Sequence, residues 1–529
     1  MARRIRLAQA DEDIPRPPND FEPLEGTPIG RRLNIPKELP GAETPPIAML
    51  PYEPDNPEPR QALVRELFPD LPPAWELGPP ESRPKNLGKP DYQLTEQDHL
   101  WELGLPALRP DQRPTTLDDL QRMAGDYSPL IVQARADIIS YRGTAIQAGT
   151  HPNPIFGYES DTVGSSKNRD YQGAYVSQVI KTANKLGLQR AVANMDYLNS
   201  QLALQRTRIE VSSQVKADYY AVLVAEQNVI ISAALVRFTE RVLELQTEKL
   251  LRSGQSVPYE PAQLRTLVDA AKATLLAAQN SYVAAWKKLA ATVGVPDLPP
   301  TQLAGRADAP PPEINYQQAL ERMWRIHPDV LAGRNMQAQA RFQLNLDRVK
   351  PIPDVYVYGV FQKDFTTPGF PNVSYNTQLG VPLPIFDRNR GAIINAEGDL
   401  MRADQQVRKM QYDLQRQLAD VFASYETNRG NVRRYRDRVL PDATRAYRGV
   451  YDRYIEKPEL LTVTDIAFAQ QQLATFIATY ITYLNGQWQA VADLANLLQI
   501  DNINDLNDLR NAPVNPLPDG TQPTRKGGH

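Results

Sequence analysis

The chain has 529 residues, 41% of them hydrophobic, with 28 glycines, 47 prolines and no cysteine. A net charge of −3 and a pI near 6.0 leave no basic footprint for nucleic acid. The lack of cysteine excludes disulfides, thiolate metal sites, a Cys nucleophile and a lipidated N-terminal Cys. Long helical stretches with few glycines argue for one elongated architecture rather than several round domains.

Residues 1–114 carry roughly half of the prolines, in runs such as Pro15-Arg16-Pro17-Pro18 and Pro54-Asp55-Asn56-Pro57-Glu58-Pro59. Such runs form neither helices nor interior strands, so this part reads as an extended or disordered arm, able either to wrap the outside of an assembly or to thread across a periplasmic space. Arg3, Arg4 and Arg6 precede no apolar segment, yet Ala8-Gln9-Ala10 before Asp11-Glu12-Asp13 has the small-residue form of a signal-peptidase site. A start placed too late or a trimmed chain is one reading, and a polar tail with a chance match is the other.

Helix is expected from about Thr116, where Thr115 or Thr116 caps a first turn holding Asp118 and Asp119, to about Ala148. Pro152 and Pro154 stop it, and a hairpin follows at about 155–180. From Arg190 to Ser253 there is neither Pro nor Gly, which predicts a rod of about 64 residues, roughly 96 Å long. Within it Leu235, Phe238, Val242 and Leu245 step by 3, 4 and 3, the seam of helices packed side by side. The rod turns at Gly254 to Pro258 into a shorter helix ending near Val293.

The same sentence is then repeated. Pro129, Pro152 and Pro154 recur about 199 positions later as Pro328, Pro351 and Pro353, and Tyr171 and Gly187 recur about 204 positions later as Tyr375 and Gly391. The second hairpin spans about 355–383, and in it Val373, Tyr375, Thr377, Leu379, Val381 and Leu383 alternate with polar or small residues. The second rod spans about 392–454 and contains Pro441, which is expected to kink it and free a carbonyl. It turns at Lys457 to Leu461 into a helix ending near Leu498. The organisation expected is an arm (1–114), a first repeat (115–296), a linker (297–314), a second repeat (315–499) and a tail (500–529).

The most apolar stretch, Val222 to Val236, carries Glu226 and Gln227, so membrane-spanning helices are not expected. Four amphipathic strands are too few to close a barrel, and an open edge cannot face lipid. If the strands meet a membrane, three copies would supply twelve strands, with the rods forming a tube of the same symmetry. The alternative is a water-soluble coiled-coil scaffold or adaptor whose hairpins cap the helices.

Gly380-Val381-Pro382-Leu383-Pro384-Ile385-Phe386-Asp387-Arg388-Asn389-Arg390-Gly391 resembles the strand-to-helix junction of the TolC-like outer membrane efflux family, with the wording of heavy-metal-resistance members. Leu440-Pro441-Asp442-Ala443, Tyr454, Asp465-Ile466 and Ala469-Gln470 match further motifs of that family in order, and the resemblance spans about 115–500. It implies a mainly α fold with a small β part: a homotrimer with a twelve-stranded outer-membrane barrel continued by a periplasmic α-helical barrel. It also implies a passive exit duct of a tripartite efflux or type I secretion system, with a periplasmic adaptor and an inner-membrane pump, usually of the resistance-nodulation-division type. Lys457-Pro458 stands where the family commonly has Gly, while the first copy keeps Gly254.

No enzyme chemistry or cofactor is expected. His99, His151, His327 and His529 are scattered without metal-ligand spacing, and His327 before Pro328 suits a structural turn like Ser128 before Pro129. The resemblance puts the helical turns at the periplasmic mouth, with Gly254, Lys457 and Pro458 as adaptor-docking tips. Glu260, Glu456, Glu459 and Asp465 lie near them, where threefold symmetry would convert each into a carboxylate ring favouring cations, unless they are ordinary solvated or capping charges. Val373, Tyr375, Leu379, Val381 and Leu383 are the expected membrane-facing strand, and Tyr171, Tyr175, Tyr356, Tyr358 and Tyr375 are candidates for the membrane boundary.

Overall fold

Helix begins where an acceptor meets the first free amides. Thr116 is the N-cap of α1 (Leu117–Tyr127), accepting from Asp119 N while the Asp119 carboxylate accepts from Thr116 N, a capping box. Ser128 is then extended at φ −65° and ψ 121°, and Pro129 opens α2 (Pro129–Ala148). The single helix expected up to Ala148 is therefore two, because a residue before proline is pushed out of the α region. Gly294 lies against this corner at φ +88°, and a Cβ there would come within 2.8 Å of the Tyr127 carbonyl oxygen.

The computed structural model describes residues 100, 103–106, 113–161, 171–253, 259–365, 372–456, 461–507 and 509. After α2 come β1 (Ile155–Asp161), β2 (Tyr171–Ile180), the rod α3 (Lys185–Ser253) and its return helix α4 (Tyr259–Val293). The order of element types then recurs as α5 (Tyr316–Ile326), α6 (Pro328–Val349), β3 (Val355–Asp364), β4 (Val373–Gly380), α7 (Arg390–Arg434), a π turn (Tyr435–Val439), α8 (Leu440–Glu456) and α9 (Val463–Leu497). The chain is mostly helical with one small sheet. At 69 residues, α3 is about 100 Å long.

Two local details are added. At Pro441, where a kink is expected, the rod carries a π turn just upstream, in which Leu440 N donates to Tyr435 O, and α8 continues through the proline. Widening one turn absorbs the missing N–H and the ring clash without breaking the rod. The last strand ends at Gly380 rather than near Leu383, since Pro382 and Pro384 cannot donate to a ladder.

The rods pack in two tiers. The first half of α3 meets α2 through Gly149 and Arg190, and α6 through Arg206 with Asp329, Asn199 with Asn335 and Asp196 with Gln339. Its second half meets α4 through Asp218 with Lys288 and Glu240 with Lys272, and α9 through Thr239 with Gln470 and the stacked rings of Tyr220 and Trp488. Likewise α7 first packs on α6, where Gln337 donates to Asp404, and later on α9, where Gly486 lies against Asn428. Each tier is thus four helices wide, with α2 and α7 at the edges of one, and α4 and the α7–α8 rod at the edges of the other.

Composition alone does not exclude a spanning helix: Lys185–Glu244 contains an 18-residue window of mean hydropathy 1.5. That window is 61% buried, with Val222, Val229 and Ala234 in the core between the neighbouring helices. Its apolarity is explained by packing against protein.

Candidate membrane-facing sheet and conduit wall

The four strands form one antiparallel sheet in the order β1-β2-β3-β4. The registers decide which side chains share a face, because directly opposed residues point the same way. Phe156 opposes Val176, which opposes Gly359, which opposes Thr377. The next row toward the hairpin loops is Tyr158, Ala174, Phe361 and Tyr375, and on the helix side lie Gln178, Val357 and Leu379. Phe156, Tyr158, Val176, Phe361, Val373, Tyr375 and Leu379 are all exposed, and all lie on this one face.

The row beyond Tyr158 and Tyr375 is Ser160, Gln172, Lys363 and Val373. An apolar band thus ends in a line of aromatic rings followed by a mostly polar line, the pattern of a strand surface crossing from hydrocarbon to headgroup. β2 and β3 have 10 residues each, within the roughly 9–11 that a tilted strand needs to span a bilayer.

The other face is more polar and holds most of the tyrosines. It carries Glu159, Ser177, Gln362, Ser374, Asn376 and Gln378, with Ile155, Val179 and Val360 among them. Tyr175 stacks on Tyr358 at 5.4 Å, and Tyr356 lies 6.4 Å from Tyr358, ring centre to ring centre. Tyr171, Tyr175, Tyr356 and Tyr358 therefore lie opposite the apolar band, and of the five boundary tyrosines only Tyr375 belongs to it. Val381 and Leu383 are exposed beyond the end of β4 rather than within it.

Edges are the second feature. Among the described residues, β1 and β4 each have one ladder partner and one free edge. The edge helices carry apolar stripes at helical spacing that are exposed among the described residues: Val132, Ile139 and Ile146 on α2, Ile394, Met401 and Tyr412 on α7, and Leu276 and Val283 on α4. At every level the first half of the chain supplies one edge (β1, α2, α4) and the second half the other (β4, α7, α7–α8).

At the neck between sheet and rods, Asp354 accepts from Lys181 Nζ at 2.9 Å, Lys185 Nζ at 2.8 Å and Thr182 N at 3.1 Å. Partial burial opposes ionisation, but these hydrogen bonds hold the carboxyl at about 2. Sequence reasoning did not single out this latch. In the far tier, Tyr447 and Tyr451 are buried with unpartnered hydroxyls, and burial raises both phenol pKa values. A groove of about 290 Å³ opens nearby between α8 and α9, lined by Ala443, Ala446, Ala469 and Phe476.

Of the gate candidates, Asp465 is N3 of α9: its Oδ2 accepts from Thr462 N at 2.7 Å and Thr462 Oγ1 at 2.9 Å. The Thr462 amide and hydroxyl lower its pKa. Gly254, Lys457, Pro458 and Glu459 lie outside the described residues, as do the side chains of Glu260 and Glu456. Among the described residues no three His, Asp or Glu side chains gather into a metal-binding group. His327 is buried as the N-cap of α6, its Nδ1 accepting from Asp329 N at 3.2 Å.

No protein-family model matches the chain. It is 23% identical over 390 residues to the cobalt-zinc-cadmium resistance protein CzcC of Cupriavidus metallidurans, covering 73% of this chain and 90% of that protein. It is 26% identical over 310 residues to the pyoverdine export outer membrane protein OpmQ of Pseudomonas putida, covering 55% of this chain and 65% of that protein. Among solved structures, the outer membrane protein VceC of Vibrio cholerae superposes with a TM-score of 0.59 at 18% identity, over 72% of this chain and 96% of that one. The chain thus has the fold of the TolC-like outer membrane efflux proteins, and the resemblance carried by its junction and rod motifs is borne out.

Proposed function

We propose that this chain is the outer-membrane exit duct of a tripartite efflux or type I secretion system, passively conducting substrate from a periplasmic adaptor and an inner-membrane pump to the exterior. The observation that carries this is the coincidence of edges: the free strands β1 and β4 lie on the same two sides as the exposed stripes of α2 with α4 and of α7. Three copies joined edge to edge would close a twelve-stranded barrel with the apolar band outward and the polar face lining a lumen. The rods would continue it as a helical tube into the periplasm.

In this reading residues 1–114 are an arm on the assembly, 115–296 and 315–499 are the two wall repeats joined by 297–314, and 500–529 is a tail. Gly254, Lys457 and Pro458 mark the tips that meet the adaptor, and Glu260, Glu456, Glu459 and Asp465 are the charges nearest the mouth. The pump is of the resistance-nodulation-division type. One relative is named for cobalt, zinc and cadmium resistance and another for pyoverdine export, so the duct reading commits to no single cargo.

Envelope fractionation with mass determination of the unheated, detergent-extracted complex tests the proposal. The expected result is an outer-membrane species at about three times the 59.4 kDa chain mass. A species that is soluble without detergent, as monomer or dimer, overturns it in favour of a scaffold.

A further inference from the structure

The segment joining β4 to α7 is the least covered apolar part of the described chain. Phe386 is 99% exposed, and Val381, Leu383 and Ile385 are exposed beside it. Val381 and Leu383 keep the odd-numbered spacing of Tyr375 and Leu379, and both are exposed just past the end of the ladder. Directly behind Phe386 stand Arg388 and Arg390, both exposed, and neither meets a carboxylate among the described residues. The one acid among them, Asp387, is already engaged, accepting from Asn389 N at 2.8 Å.

Spacing gives the segment a level. Tyr375 marks the aromatic row at the loop end of the band, and Phe386 lies eleven residues further on. Fully extended, at ~3.3 Å per residue and a tilt near 40°, eleven residues reach at most about 28 Å along the membrane normal, and the turn after Leu383 shortens this, which keeps Phe386 within the ~25 Å height of a barrel's apolar band. Pro382 and Pro384 favour an extended path, with one tight turn where Ile385 N donates to Leu383 O. The first copy has no such feature: its strand-to-helix junction is Lys181-Thr182-Ala183-Asn184.

Resting on the duct reading above, we infer that Val381–Arg390 is a periplasmic-leaflet anchor: Leu383, Ile385 and Phe386 enter the acyl chains while Arg388 and Arg390 contact the phosphates of anionic phospholipid. Three copies would set three such wedges around the neck. An aromatic ring with flanking guanidinium groups is the chemistry of the bilayer interface, where the ring leaves water and the cations meet phosphate.

The absence of cysteine makes single-site spin labelling direct. Ile385→Cys and Leu379→Cys, each labelled in the full assembly and reconstituted into phosphatidylcholine vesicles with or without phosphatidylglycerol, are read by collision with oxygen and with an aqueous nickel chelate. Both labels should collide with oxygen in preference to nickel, the one at 385 at shallower depth. Adding Phe386→Ser to Ile385→Cys should restore nickel collisions. Arg388→Gln with Arg390→Gln should abolish the deeper seating that phosphatidylglycerol confers. A nickel-accessible label at 385 beside an oxygen-dominated label at 379 overturns the anchor and leaves the duct standing. A label at 385 shielded from both reagents means that a second copy covers the segment, and this too overturns the anchor. Nickel access at 379 sinks the duct reading itself, and no effect of the arginine pair removes the phosphate contact.

Discussion

Lys185, the first residue of α3, donates to Asp354, the residue before β3, at 2.8 Å across the neck of the molecule. Lys181 and the Thr182 amide reach the same carboxylate, and Lys185 also donates to the Ile352 carbonyl. The exit of the first hairpin is thereby tied to the entry of the second at the level where strands become rods. Two ammonium groups on one carboxylate fix the angle at which both continue.

Asp354→Asn should therefore loosen the neck. Lys185 is nearly buried, so removing its counter-charge leaves a cation with little solvent to replace it, and a loss of about 2–3 kcal/mol is expected. The carboxyl is held at about 2 in the fold, so its contribution is complete above the unfolded value near 4 and is lost as pH falls from there toward 2. Thermal melts in detergent at pH 7 and at pH 3 check this: the variant should melt lower at pH 7, with a smaller gap at pH 3.

His327 gives a second acid-sensitive element. Burial lowers its pKa to about 4, against a weaker pull upward from Asp329, and its neutral Nδ1 accepts the Asp329 amide at the start of α6. The unfolded chain binds a proton near 6.5 that the folded chain refuses until about 4, so this contribution is present above 6.5 and is lost as pH falls to 4. The full effect is up to about 3 kcal/mol. His327→Ser, the residue that stands at the equivalent corner before Pro129, should flatten melting temperature against pH over that window.

Lys216 acts in the opposite range. It is fully buried in α3, donates to the Ile500 carbonyl at 2.9 Å, and burial lowers its pKa to about 8. Between 8 and about 10.5 the unfolded chain holds a proton that the folded chain has released, so stability rises with pH through that window. Lys216→Met should raise stability at pH 7 by about 1–2 kcal/mol, because a buried ammonium without a carboxylate in contact is replaced by an apolar chain of similar length. Chemical denaturation at pH 7 and pH 9.5 should show a smaller difference for the variant than for the parent.

Asp465 has a local task and a proposed collective one. As the capping-box partner of Thr462 it satisfies the start of α9, and in a trimer it would add one carboxylate in three near the mouth. Asp465→Asn should reduce cation selectivity in planar bilayers, whereas Thr462→Ala, which disturbs the cap and keeps the charge, should not. Equal reversal potentials for the parent and Asp465→Asn would leave Asp465 with the cap alone.

The rods were legible because nothing between Arg190 and Ser253 breaks a helix, and β4 was legible because Val373, Tyr375 and Leu379 alternate with polar neighbours. The side of the sheet taken by the tyrosines was not. β2 pairs with β3 so that Tyr175 opposes Val360, and β3 pairs with β4 so that Tyr356 opposes Gly380. Even positions of β3 thus share a face with odd positions of β2 and even positions of β4, which separates Tyr375 from the rest. Alternation within a strand carries no information about register between strands. The Asp354 latch was hidden for a similar reason, since it joins turns 169 residues apart.

That register makes neighbouring residues of β4 an internal control. Leu379 lies on the apolar face and Gln378 on the polar one. In the proposed barrel, Leu379→Arg places a guanidinium in hydrocarbon at a cost of about 2–4 kcal/mol per copy near the midplane, less toward the interface. Fewer heat-resistant assemblies should then be recovered from the outer membrane. Gln378→Arg adds the same group to the lumen side, where water solvates it, so assembly should persist and conductance should shift toward anions. The two substitutions differ by one residue along the chain and by one face of the sheet. Equal tolerance of both would mean that neither face meets lipid, and a loss confined to Gln378→Arg would mean that the barrel is inside out.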